Sequence, residues 1–231
     1  MLRNRINKLA NASYLEFLDI SDYIWKTPNF IKKEIELEIE KLNLYYPENK
    51  EDQGIRWNHE SRKLFKTFPY LNSSSNLFSV ASIFEVYLLR LGHEIEIHND
   101  KKLCDTRGQG SARVFKYLRE LYVQPEELEL WMQVQSAIKI RNCLVHACGI
   151  LAWSRDEVEI RNIHKNKLFL SKEDREHREK KEFNSDEVNI LASDFGERLQ
   201  INNMYPWLLS AYFRDFFVEL CQLSLDKSDA K

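Results

Sequence analysis

Glycine and proline are scarce in this chain, 6 and 5 among 231 residues. A β-sandwich or barrel needs many more of both for its tight turns, so those architectures are disfavoured and helices are favoured. No apolar run reaches the roughly 18 residues that a membrane-spanning helix requires. The first residues, Met1 to Lys8, lack the apolar stretch of a secretion signal. The four cysteines (Cys104, Cys143, Cys148, Cys221) contain no CxxC pair. They read as reduced, buried thiols of a cytoplasmic protein rather than a disulfide framework. An excess of one charge is missing too: 34 basic and 36 acidic residues leave a net charge of −2. That excludes a protein that coats nucleic acid non-specifically, while leaving room for a local phosphate site. There is no GxxxxGK[ST] loop, no GxGxxG after a strand, no HExxH and no GxSxG. Nucleotide hydrolysis, dinucleotide redox chemistry, zinc proteolysis and serine hydrolysis are therefore unsupported.

What is present is apolar bulk, 43% hydrophobic and 12% aromatic residues, enough for a sizeable core. The spacing of apolar residues predicts a helix over 1–26, a break at Thr27-Pro28 and a second helix over 30–44. A polar connection is expected over 47–60, then a short helix over 61–68 closed by Pro69. Asn72 to Ser75 reads as the N-terminal signal of a helix that is apolar nearly all round, carries one acid (Glu85) and stops at Gly92. Residues 93–111 read as irregular, with His93 to His98 alternating like a strand. A helix over 111–122 follows, and Pro125 opens the next at about Glu126. Residues 150–153 and 167–170 look extended, 172–187 is a charged connector, and 204–225 is an aromatic-rich amphipathic helix. The sum is an all-α fold of about four core helices with additional helices and a small β excursion near 150–170. A single domain over 1–231 is expected, its core at about 61–149 plus 204–225. Residues 1–60 then form N-terminal helices, and 150–200 an insertion or connector.

One stretch, Trp131 to Gly149, carries the chemistry. At about 100° per residue, Leu130, Trp131, Val134, Ala137, Ile138, Leu144, Val145 and Cys148 make one broad apolar stripe. Arg141 falls inside it, where a permanent cation needs a partner. Glu85 is the natural one, and a buried Glu85–Arg141 pair that only pins two helices is the structural reading. Asn142 and His146, four apart, lie one above the other at the stripe's edge. Alone, His146 reads as a surface or capping histidine and Asn142 as a local helix hydrogen-bonder. Arg141 and His146 are five apart, about 140° of rotation, so they do not share a face. Either the arginine curls round, the helix distorts near Gly149, or the working pair comes from two subunits. Cys143, His146 and Cys148 diverge too far to converge on one metal ion.

The run Ile140-Arg141-Asn142-Cys-Leu-Val-His146 has the form Arg, polar, three residues, His, and resembles the signature of the HEPN (higher eukaryotes and prokaryotes nucleotide-binding) superfamily. The resemblance extends loosely to the helix around Glu85 and to the closing helix. It implies a helical bundle that dimerises, so that two Arg/His sets line a composite cleft. It implies a metal- and cofactor-independent endoribonuclease of toxin–antitoxin or antiviral defence type, acting on RNA and restrained by an antitoxin or regulatory protein. Arg141 and His146 match the catalytic pair, Asn142 the polar position, and Glu85, more loosely, a supporting acid. The chemistry agrees: a neutral imidazole can deprotonate a 2′-hydroxyl, and a planar guanidinium can hold the phosphoryl oxygens. The alternative is a non-catalytic HEPN-like module that binds a nucleotide or a protein partner.

Overall fold

The computed structural model describes residues 2–181 and 186–229 and is mostly helical. Its elements are α1 (Leu2–Tyr45), α2 (Lys50–Arg62), α3 (Phe68–Glu96), α4 (Gly110–Glu120), α5 (Trp131–His146), α6 (Glu157–Lys165), α7 (Lys172–Lys180), β1 (Val188–Ser193), β2 (Gly196–Ile201) and α8 (Met204–Asp229). No helix among the described residues is long and apolar enough to cross a membrane.

The break predicted at Thr27-Pro28 does not occur; α1 runs through Pro28. Proline lacks the N–H that would bond the Ile24 carbonyl four residues back, and an interior proline costs about 3 kcal/mol or more. Here that carbonyl is taken by other donors. Asn203 donates its Nδ2 to it at 2.7 Å, and the Thr27 hydroxyl donates at 2.9 Å. Thr27 Oγ1 and Asn203 Oδ1 in turn accept from both Asn72 and Asn76 of α3, over 2.8–3.2 Å. One knot of amides therefore ties α1, α3 and the start of α8 together.

The same knot explains why Asn72 to Ser75 do not begin a helix. These residues lie inside α3, and Ser73 donates to the carbonyls of Pro69, Tyr70 and Ile201. Asn72 thus bonds to other elements and Ser73 to its own helix and to β2, rather than capping a helix start. The polar connection predicted over 47–60 is mostly α2, capped by Asn49, whose side chain accepts from the Asp52 amide. A π-helical turn, Lys63–Thr67, joins α2 to α3 without interruption. Pro69 would crowd the carbonyl of residue 65, which lies in that wider turn; proline is tolerated there for that reason. At the far end α3 passes Gly92 and ends at Glu96. Gly92 marks close packing, since a Cβ there would meet Leu103 Cδ2 at 3.0 Å. His93 to His98 is thus mainly helix, and Glu94 pairs with Arg5 of α1.

The core is continuous from α1 to α8. Ile6, Phe17 and Ile24 of α1 pack with Phe84, Tyr87 and Leu88 of α3 and with Phe213, Phe216 and Phe217 of α8. The N-terminal helix is therefore part of the core, not an addition outside residues 61–149. Phe84 and Phe213 stack with centroids 3.9 Å apart. Burying each such side chain is worth about 1.5–3 kcal/mol. Tyr87, between α1 and α8, has its hydroxyl pushed up to about 12, first by burial and then by the bond it donates to Glu16.

The β excursion lies later than predicted. Residues 151–153 form a single 3-10 turn, 157–165 are α6, and the one sheet among the described residues is the antiparallel hairpin β1–β2, paired from Val188 with Ile201 to Ser193 with Gly196. Ile150 alone bridges to Arg198. The connector predicted over 172–187 includes α7, and its residues 182–185 lie outside the described residues. Of the cysteines, Cys143 and Cys221 are buried as predicted, but Cys104 and Cys148 are exposed.

Removing the Asn203 amide leaves the Ile24 carbonyl with the Thr27 hydroxyl alone and takes an acceptor from Asn72 and Asn76, so Asn203→Ala should lower stability by about 2–3 kcal/mol. In a Pro28→Ala background the restored N–H at position 28 can bond that carbonyl, and the cost should fall by about 1 kcal/mol. Urea midpoints of the two single variants and the double variant measure this, and strict additivity would contradict it.

Candidate functional site

α5 begins at Trp131, after a 3-10 turn at Pro125–Glu127, not at Glu126. Its buried face is Gln133, Val134, Ser136, Ala137, Ile140, Cys143 and Leu144. That face is rotated from the predicted stripe: Val145 is 39% exposed and Cys148 is exposed. The cause is polar. Gln133 donates to the carbonyls of Leu168 and Leu170 at 3.2 and 2.7 Å, and Ser136 to that of Leu168 at 3.3 Å. A buried turn with unpaired carbonyls needs donors more than it needs leucines. Arg141 consequently lies on the flank of the buried face, half-buried, rather than at its centre.

On that flank Arg141, Asn142 and His146 line one cleft of about 470 Å³. Ala81, Phe84 and Glu85 of α3, Phe213 of α8 and the turn Gln109–Ala112 complete its wall. The angular conflict between Arg141 and His146 is resolved by the length of the arginine. Its Nη1 donates to Asn142 Oδ1 at 3.0 Å, so the guanidinium leans over the residue that stacks one turn before His146. Among the described residues Arg141 has no carboxylate partner, and the predicted Glu85–Arg141 ion pair is not formed. Glu85 is half-buried on the opposite wall, its carboxylate against the α-carbon of Gly110. The arginine is exposed enough to keep its charge solvated, which removes the need for a buried counter-ion. His146 is exposed and has no hydrogen-bond partner among the described residues.

The helix end that carries His146 is held from outside. The chain leaves α5 through Cys148 (φ 50) and Gly149 (φ 80), and the amides of Ala147 and Gly149 both donate to the Cys143 carbonyl. Gly149 then accepts from the Leu199 amide of β2 at 2.7 Å. A Cβ at 149 would meet the Leu199 carbonyl oxygen at 2.7 Å, so only glycine fits.

Four groups thus face one space: a guanidinium with donors to spare, an imidazole, an amide and a carboxylate. Such a set can bind a phosphate, exchange a proton near neutral pH and accept a hydrogen bond from a ligand hydroxyl or amine. The wall residues Ile138, Gln109, Gly110 and Phe213 have no sequence motif, and only the pair Gly108 and Gly110 hints at a special turn. Among the described residues no group of three or more His, Cys, Asp or Glu side chains is arranged to hold a metal ion. Comparison with family models, with characterised proteins and with solved structures returns no match.

Gly110 has φ 55, and a Cβ there would fall on the Glu85 carboxylate. Gly110→Ala should therefore cost about 1–2 kcal/mol from backbone strain and drive the Glu85 side chain aside. In a Glu85→Ala background only the backbone share should remain. Chemical denaturation of the two single variants and the double variant tests the coupling; an equal penalty in both backgrounds would place Glu85 elsewhere.

Proposed function

We propose that this chain is a metal-independent endoribonuclease of the HEPN type, built on a HEPN-like helical bundle. The observation that carries the reading is the convergence of Arg141 and His146 on one cleft although the helix points them about 140° apart. His146 takes the proton of a ribose 2′-hydroxyl as that oxygen attacks the adjacent phosphorus. The bond from phosphorus to the 5′-oxygen breaks, giving a 2′,3′-cyclic phosphate and a 5′-oxygen that takes a proton from water as it leaves. Arg141 binds the phosphoryl oxygens as charge gathers on them, and its bond to Asn142 limits the rotamers it must lose in doing so. Glu85, across the cleft, accepts a hydrogen bond from the ribose or base. A second copy of the chain supplies the second imidazole in a homodimer, and an antitoxin or regulatory protein restrains the activity in a toxin or antiviral defence setting.

A second reading has its own support. Among the described residues His146 has no hydrogen-bond partner that orients its ring, and a general base normally has one. A non-catalytic cleft that binds a nucleotide would use Arg141, Asn142 and Glu85 and leave the imidazole idle.

The two readings part in one experiment. In EDTA, the wild-type chain should cut single-stranded RNA to products ending in cyclic phosphate. His146→Ala should slow cleavage by about 100-fold or more and Arg141→Ala by about 100- to 1000-fold, with melting temperatures little changed. RNA left intact in EDTA, or cut equally well by His146→Ala, would refute the nuclease. RNA left intact in EDTA, together with nucleotide binding lost in Arg141→Ala but kept in His146→Ala, would establish the second reading.

A further inference from the structure

A groove of about 830 Å³, larger than the Arg141 cleft, lies between α1, the π-helical turn Lys63–Thr67 and the hairpin strand β2. Three cations line it, Lys32, Lys66 and Arg198, and no aspartate or glutamate does. In a chain whose net charge is −2, an acid-free groove with three cations is a local concentration of positive charge. Lys32 and Lys66 are exposed, and neither has a carboxylate partner among the described residues.

Aromatic rings alternate with these charges. Phe65 is 58% exposed, held edge-on by Trp57 at 6.1 Å, and projects from the π-helical turn between Leu64 and Lys66. Turns of that kind are uncommon and recur at functional sites, because the extra residue swings a side chain out of the helical row. Tyr70 lines the groove as well, with the Arg198 guanidinium 4.8 Å above its ring and bonded to its hydroxyl at 2.9 Å. Gln200 adds an amide at the floor. A protein segment seeking an apolar groove would find unpaired lysines here. A strand of unpaired nucleotides finds flat rings for its bases and cations for its phosphates.

The groove also borders the loop that follows α5. Arg198 Nε donates to the Cys148 carbonyl at 3.2 Å, and Cys148 follows His146 by two residues. Tyr70 and Arg198 therefore stand beside the loop that follows α5, two residues past the imidazole.

We infer that this groove binds a single-stranded segment of RNA, the stretch flanking the scissile link, with Lys32, Lys66 and Arg198 on phosphates and Phe65 and Tyr70 under bases. The identity of the ligand rests on the ribonuclease reading; the site itself does not overlap the Arg141 cleft. The test uses the full chain carrying His146→Ala, so that RNA is not consumed. Fluorescence anisotropy follows a labelled, unstructured RNA of about 12 nucleotides over a range of salt, with the matching duplex and a mononucleotide for comparison. Lys32→Ala/Lys66→Ala should weaken binding by about tenfold at moderate salt. It should also flatten the slope of log affinity against log salt by about 1.4, close to 0.7 for each phosphate that no longer meets a lysine. Phe65→Ala should weaken binding by about fivefold or more with the salt slope unchanged. Groove variants that bind RNA like their parent, or a mononucleotide or duplex bound as tightly as the single strand, would overturn the groove. Cleavage by the wild-type chain with groove variants unaffected sinks the groove alone, whereas groove-dependent binding with no cleavage sinks the nuclease alone.

Discussion

A backbone carbonyl that proline leaves without its helical donor is the constraint on which this architecture turns. Ile24 must find partners outside the regular helical pattern, and it finds them in Thr27 and Asn203. Because Asn203 sits immediately before α8 and is itself held by Asn72 and Asn76, satisfying one carbonyl sets the relative height of three helices. Hydrophobic packing tolerates sliding by fractions of a turn; a closed set of amide hydrogen bonds in a buried place does not. The register so fixed brings Phe84 of α3 onto Phe213 of α8. Those two rings, with Glu85 one residue further along α3, form one wall of the Arg141 cleft.

The other wall depends on a second use of polar groups inside the protein. Gln133 and Ser136 turn α5 so that its donors reach the buried carbonyls of Leu168 and Leu170, and this rotation delivers Arg141, Asn142 and His146 to the cleft edge. The hairpin β1–β2 completes the placement by gripping Gly149 and Cys148. Arg198 belongs to both that grip and the basic groove, so the strand that steadies the end of α5 also presents a cation to solvent. A site held by helices and a paired strand loses little order when a ligand arrives, which suits chemistry that depends on fixed distances.

The helical character was legible because the apolar spacing over α1, α4 and α8 follows the helical period. The departures from expectation share a cause. Pro28, Asn72 to Ser75 and Gly92 are local stop and start signals, and each is overruled by a partner distant in sequence: Asn203 for Pro28 and the serines' neighbours, Leu103 for Gly92. Local propensities of about 1 kcal/mol yield to a buried hydrogen-bond set worth several times that. The β excursion was misplaced for a related reason: Ile150, Leu151, Phe169 and Leu170 are apolar because they are buried, not because they lie in strands. In the site, Arg141, Asn142 and His146 were legible as a spaced motif, whereas Glu85's true neighbour, Gly110, was not, since nothing in a linear sequence reports which α-carbon a carboxylate will touch.

By itself the sequence determined that the chain is helical, that it carries enough apolar bulk for a sizeable core, and that a guanidinium, an amide and an imidazole lie close together on one helix. These follow from composition and from the helical repeat, both of which act over a few residues. Only the tertiary structure decided which face of α5 is buried, that Arg141 leans over Asn142 instead of pairing with Glu85, and that Lys32, Lys66 and Arg198 share an acid-free groove. Those outcomes depend on which unpaired carbonyls and open surfaces meet across separations as long as the 179 residues from Ile24 to Asn203, and that meeting is settled by packing in three dimensions.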